Sequence, residues 1–196
     1  MKKPNILAFA GSARQDSLNK KLIQISVQGA RDAGAEVKLV DLRDYPMPLY
    51  DGDLETREGL PANVKLFKKL MLEHDGLLLS CPEYNSSITP LLKNTLDWCS
   101  RAESPSEIPL ACFKGKTAGL VSASPGALGG LRGLVHVRAI LGNIQVLVIP
   151  DQVAVSKAHE AFLPDGHLKD EKLQTAVLAV GAKLASVLTH LKSVPE

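Results

Sequence analysis

The chain has 196 residues, 45% of them apolar and 22% charged, and its 23 basic and 21 acidic side chains leave a net charge of +2. That length suits a single domain over residues 1–196 with a substantial core, and the near-balance of charge argues against nucleic acid or a membrane surface as partner. The opening MKKPNILAFAGS has an apolar stretch of only about six residues, too short for a secretory signal, and nothing approaches the ~18 apolar residues of a bilayer span, so a cytoplasmic protein is expected.

NILAFA (5–10) reads as a first strand. Residues 18–33 place Leu18, Leu22, Ile25 and Gly29 on one face, as a helix would, and Gly34 ends it. AEVKLVDL (35–42) is a second strand, and 43–59 is a long loop rich in Pro, Gly and Asp. Pro61 opens a helix over 61–75. GLLLSC (76–81) is a continuous apolar run, the pattern of a strand covered on both faces. PEYNSSIT (82–89) is a polar loop, and Pro90 starts a helix over 90–101. A connector over 104–113 leads to a fourth strand, 116–123, with a glycine-rich loop at 124–130. A helix over 131–143, a fifth strand over 144–150, an irregular stretch and a helix over 169–192 complete the chain.

Five strands alternating with helices predict a parallel sheet with right-handed crossovers, an α/β three-layer sandwich. Ligands of such sheets gather at the carboxyl ends of the strands, where strand order reverses. That singles out the loops at 11–17, 82–89 and 123–130, which all follow strands. The first, GSARQDS, lacks both a Walker sequence and G-x-G-x-x-G. It is a turn feeding a helix N-terminus, with free N–H groups and the positive end of the helix dipole. Ser12, Arg14, Ser17 and Asn19 add donors suited to one phosphate dianion. The plainer alternative makes Ser17 a helix cap and Ser12 a turn residue. In the second loop Tyr84 beside Asn85 and two hydroxyls offers a flat apolar wall and polar edge groups, the mixture a heteroaromatic ring needs.

GSARQDSLN and PEYNSSITPLLKNTLDW together resemble the NADPH-dependent FMN reductase family, whose relatives include quinone, chromate and azo-dye reductases of flavodoxin-like fold. The first stretch is similar to that family's G-S-x-R-x-x-S-x-N phosphate loop. The second is similar, almost position by position, to its P-E-Y-N-x-S-x-x-P-x-L-K-N-x-L-D-W segment. The resemblance implies that Ser12, Arg14, Ser17, Leu18 and Asn19 hold the FMN phosphate and ribityl chain. It implies that Pro82, Glu83, Tyr84, Asn85 and Ser86 wrap the isoalloxazine. Ser122, Ser124 and Gly126 would line the far side of the ring, with Gly129 and Gly130 allowing close approach. It further implies electron transfer from NADPH or NADH, as co-substrate, through bound FMN to a quinone, azo, nitro or metal-ion acceptor by ping-pong kinetics, and a homodimer or homotetramer. No catalytic acid or base on the protein is needed.

Two rival readings stand beside this one. A flavodoxin-like electron carrier without nicotinamide chemistry is disfavoured by the near-neutral charge, because such carriers tend to be acidic. A phosphate-ligand sensor without redox work is the other. Tyr50 and Asp51, in the long loop, are candidates to shape acceptor access. Cys81, Cys99 and Cys112 fit no zinc or disulfide spacing and read as buried free thiols. His74 reads as a helix-end cation and His136 as a surface or subunit contact, and His159, His167 and His190 share no ligand spacing, so no metal site is expected.

Overall fold

The computed structural model describes residues 3–193; the outermost residues of the 1–196 span lie outside the described residues. Strands β1 (Asn5–Ala10), β2 (Glu36–Val40), β3 (Gly76–Ser80), β6 (Thr117–Ala123) and β7 (Leu147–Val155) form one parallel sheet in the order β2-β1-β3-β6-β7. Between them lie α1 (Leu18–Asp32), α2 (Gly52–Glu58), α3 (Ala62–Glu73), α4 (Pro90–Cys99) and α5 (Leu131–Asn143). A short α6 (Ala158–Ala161) and a long α7 (Glu171–Ser193) follow. The hairpin β4 (Glu83–Tyr84) and β5 (Ser87–Ile88) stands apart as a second, two-stranded sheet. The predicted flavodoxin-like α/β architecture is therefore the observed one.

The period-two alternation of the strands divides the core. Ile6, Ala8 and Ala10 of β1 join one cluster with α1 and α7, whereas Leu7 and Phe9 join another with α3, α4 and α5. β3 is split in the same way, Leu78 to the first cluster and Leu77 and Leu79 to the second. β1, β3 and β6 are buried along nearly their whole length, and their outer ends deliver the three loops singled out above. The order of the strands reverses between β1 and β3, so that crest is where a ligand site belongs.

Four expectations need correction. The fifth strand runs to Val155 rather than stopping at Pro150. A register shift lies opposite Ala118–Leu120, and Pro150 sits on an edge strand, where its missing N–H costs little. Arg138 holds that irregular stretch by donating to the Ile149 carbonyl at 2.8 Å and to Gln152 Oε1 at 2.8 Å. The loop at 43–59 contains α2, capped by the Asp51 carboxylate, which accepts from the Asp53 N–H at 2.8 Å. The polar loop at 82–89 is the β4–β5 hairpin. Finally, α7 is long and apolar enough to cross a membrane by length and composition. In this fold its Val177, Val180, Leu184 and Leu188 belong to the core beside α1.

Candidate flavin site

The first loop turns sharply into α1. Ser17 is the N-cap, its Oγ accepting from the Lys20 N–H at 3.4 Å. Ser12 Oγ accepts from the Arg14 N–H at 3.3 Å. Both serines are buried, and the Arg14 side chain is exposed. Among the described residues, the backbone N–H groups of Ser17, Leu18 and Asn19 have no acceptor within the chain. They are the orphan donors of a helix start, at the positive end of a 15-residue dipole. This donor set fits a phosphate monoester and offers nothing to a cation.

A cleft opens here, lined from the first loop by Ser12, Arg14, Ser17, Leu18 and Asn19. Its second wall is Pro82, Glu83 and Tyr84, and its third is Ala123, Ser124 and Pro125. The crest of the sheet thus brings together three loops that are distant in sequence. Tyr84 is half-exposed at the cleft wall.

The walls are braced from behind. Thr89, the N-cap of α4, donates its hydroxyl to the Gly11 carbonyl at 2.7 Å. Glu83 accepts from Arg132 Nη2 at 2.7 Å and from the Gly133 N–H at 3.0 Å, and Ser87 Oγ lies 2.8 Å from His136 Nδ1. These contacts clamp the hairpin onto the first turns of α5. Burial alone would raise the Glu83 pKa, but the Gly133 N–H and the Arg132 guanidinium outweigh it and hold the carboxyl below its ordinary value.

Some expected site residues lie elsewhere. Ser122 is fully buried beneath the third loop, where its hydroxyl donates to the Cys81 carbonyl at 2.6 Å. It does not line the cleft and lies directly against Gly130. A Cβ on Gly130 would sit 1.9 Å from Ser122 Oγ, and Gly130 has φ +94°. Asn85 and Ser86 form the tip of the hairpin, with φ of +48° and +67°, and do not line the cleft. Gly126 lies just beyond it, its N–H donating to Ser124 Oγ at 3.2 Å. Ala123 and Pro125, which the sequence did not single out, take the places of Ser122 and Gly126; apolar residues beside a motif carry no sequence signal of their own.

Tyr50 and Asp51 are also absent from this cleft. Their loop is pinned to α4, where Trp98 Nε1 and Asn94 Nδ2 donate to the Pro48 carbonyl at 2.8 and 2.9 Å. Asn94 Oδ1 accepts from the Tyr50 N–H at 2.8 Å, and the Tyr50 and Trp98 rings meet edge-on at 5.0 Å.

A parallel sheet with a phosphate-fitting cleft at its β1/β3 switch point defines a flavodoxin-like protein. The model of the NADPH-dependent FMN reductase family matches residues 4–160, and the chain belongs to that family. It is 34% identical over 173 residues to an NAD(P)H-dependent FMN reductase of Pseudomonas aeruginosa, covering 88% of each chain. It is 34% identical over 148 residues to a quinone reductase of Escherichia coli K12, covering 75% of this chain and 74% of the other. Among solved structures, the flavoenzyme NAD(P)H:(acceptor) oxidoreductase of Paracoccus denitrificans superposes with a TM-score of 0.80 at 24% identity, covering 95% and 98%. The protein is accordingly an oxidoreductase with FMN as cofactor and NAD(P)H as electron donor.

Proposed function

We propose that the protein is an NAD(P)H-dependent quinone reductase that serves donor and acceptor in turn at one cleft, by a ping-pong mechanism. The observation that carries this reading is the set of N–H groups at the start of α1 that have no acceptor among the described residues, on residues that line the same cleft as Tyr84. Ser12, Arg14, Ser17 and the Leu18 N–H hold the phosphate end. Pro82 and Tyr84 wall the ring, and Ser124 with Pro125 borders its edge. Bound FMN supplies the two-electron chemistry between nicotinamide and acceptor. Backbone donors at the crest favour an anionic group there, and the half-exposed Tyr84 leaves room for flat partners to enter and leave. Protonation of the product quinone is left to water.

The same reading extends to azo, nitro and metal-ion acceptors and to a cytoplasmic protein folded as one domain over 1–196. Leu128, Leu131 and Val135 are exposed around the start of α5, beside the clamped hairpin. They support a homodimer or homotetramer with its flavins near the interface. Light scattering should then return two or four times the 21.0 kDa chain mass; a monomer mass removes the oligomer.

The central test is steady-state kinetics with NADPH and a benzoquinone. Parallel double-reciprocal lines, with loss of the bound flavin's yellow absorbance on adding NADPH alone, are expected. Intersecting lines overturn the shared-site mechanism. Arg14→Ala should weaken FMN binding about tenfold, the loss of one charge-assisted contact.

A further inference from the structure

Asn19 matches the phosphate-loop motif, yet its side-chain oxygen and one of its two amide N–H groups are engaged with Ser80 and Ala123. It is only 4% exposed. Its Oδ1 accepts from Ser80 Oγ at 2.9 Å and from the Ala123 N–H at 3.0 Å, which fills both lone pairs. Its Nδ2 donates to the Ala123 carbonyl at 2.8 Å. The amide therefore pairs with Ala123 as a neighbouring strand would. It ties the first turn of α1 to the last residue of β3 and the last residue of β6.

Ala123 immediately precedes Ser124 and Pro125, the third wall of the cleft. That wall has further ties on its outer side, where the Ser124 N–H donates to the Val155 carbonyl at 3.1 Å and the Ala158 N–H to the Ser124 carbonyl at 3.1 Å. Asn19 is the tie on the inner side, between this wall and the helix start.

We propose that Asn19 is a positioning residue. Its side chain sets the third loop against the ring end of the cleft and does not hold the phosphate group, which is left to the backbone donors of the helix start. The proposal rests on the FMN reading above. The two ends of the cleft then have different owners. The Ser17 and Arg14 side chains serve the phosphate, whereas the Asn19 side chain serves the ring through Ala123.

Riboflavin lacks the phosphate, so comparing it with FMN separates the two ends. The experiment titrates both flavins into the flavin-stripped full-length chain, following flavin fluorescence and visible circular dichroism. Asn19→Ala should weaken both flavins by about tenfold, leave the ratio of their affinities unchanged, and alter the dichroism of bound riboflavin. Ser17→Ala should shrink the ratio and leave riboflavin binding as it was. A collapsed ratio in Asn19→Ala with riboflavin binding intact overturns the proposal, because the side chain then acts on the phosphate. Unchanged binding of both flavins overturns it as well. Should Asn19→Ala fail to fold, Ser80→Ala removes one arm of the tie and carries the test. Equal weakening of both flavins supports the proposal, and unaltered riboflavin binding and dichroism sink it. Wild-type protein that binds neither flavin would overturn the FMN reading itself, and this inference with it.

Discussion

Asn85 and Ser86 show how a single dihedral decides a residue's role. Both have positive φ, the requirement of a two-residue hairpin turn of the primed kind. Asn tolerates that region, but serine gains little there, and the second position favours glycine. Ser86→Gly should therefore stabilise the protein by up to about 1 kcal/mol, read from urea unfolding. The cysteines are a second case. Burial pushes the Cys81 thiol up to about 12 and the Cys112 thiol up to about 11, and it raises Cys99 as well. All three are buried and unpaired. A disulfide reagent at about pH 8 should leave them unmodified in the native protein and react with all three in denaturant. Their free state was legible from spacing alone. The role of Ser122 was not, since nothing local marks whether a strand-end serine faces a ligand or a carbonyl 41 positions away.

The hairpin and α5 form the element on which the cleft's second wall depends. Glu83 is the charged link, and its carboxyl titrates below the ordinary value. A group with a lowered folded-state pKa contributes stability above its unfolded value of about 4.3, and that contribution disappears as pH falls through the folded value. Glu107 behaves alike. Burial alone would raise it, but Lys68, whose Nζ lies 2.6 Å away, and the Glu103 N–H hold it low. Unfolding free energy should thus decline below about pH 4.5, and Glu83→Gln should make that decline shallower. Urea midpoints across the range test it, and an unchanged acid limb would remove Glu83 from the clamp. At this scale the sequence showed Pro90 as a helix start and a polar loop before it. It did not show the hairpin, because two strands of two residues each have no periodicity to read. It also left 43–59 as loop, because the partners that order it, Asn94 and Trp98, lie on α4.

At the scale of the whole molecule, one layer flanking the sheet is the pair of α1 and α7. α1 and α7 cross so closely that a Cβ on Gly29 would meet the Leu178 carbonyl oxygen at 2.0 Å, and one on Gly181 would meet that of Ser26 at 1.8 Å. Gly181→Ala should force the helices apart and cost about 1–3 kcal/mol, visible as a lower urea midpoint. The crossing explains why a helix apolar enough for a bilayer serves here as a core element.

From residues alone came the βα alternation, the parallel sheet and the two motifs that mark the cleft, because hydrophobic periodicity and turn chemistry are local properties. Tertiary structure decided which polar side chains of those motifs face a ligand and which face each other. Asn19 and Ala123 are 104 positions apart, and only the order of strands in the sheet makes them neighbours. A side-chain amide satisfies its hydrogen bonds with whatever the fold brings within reach, and that choice is written in strand order and register.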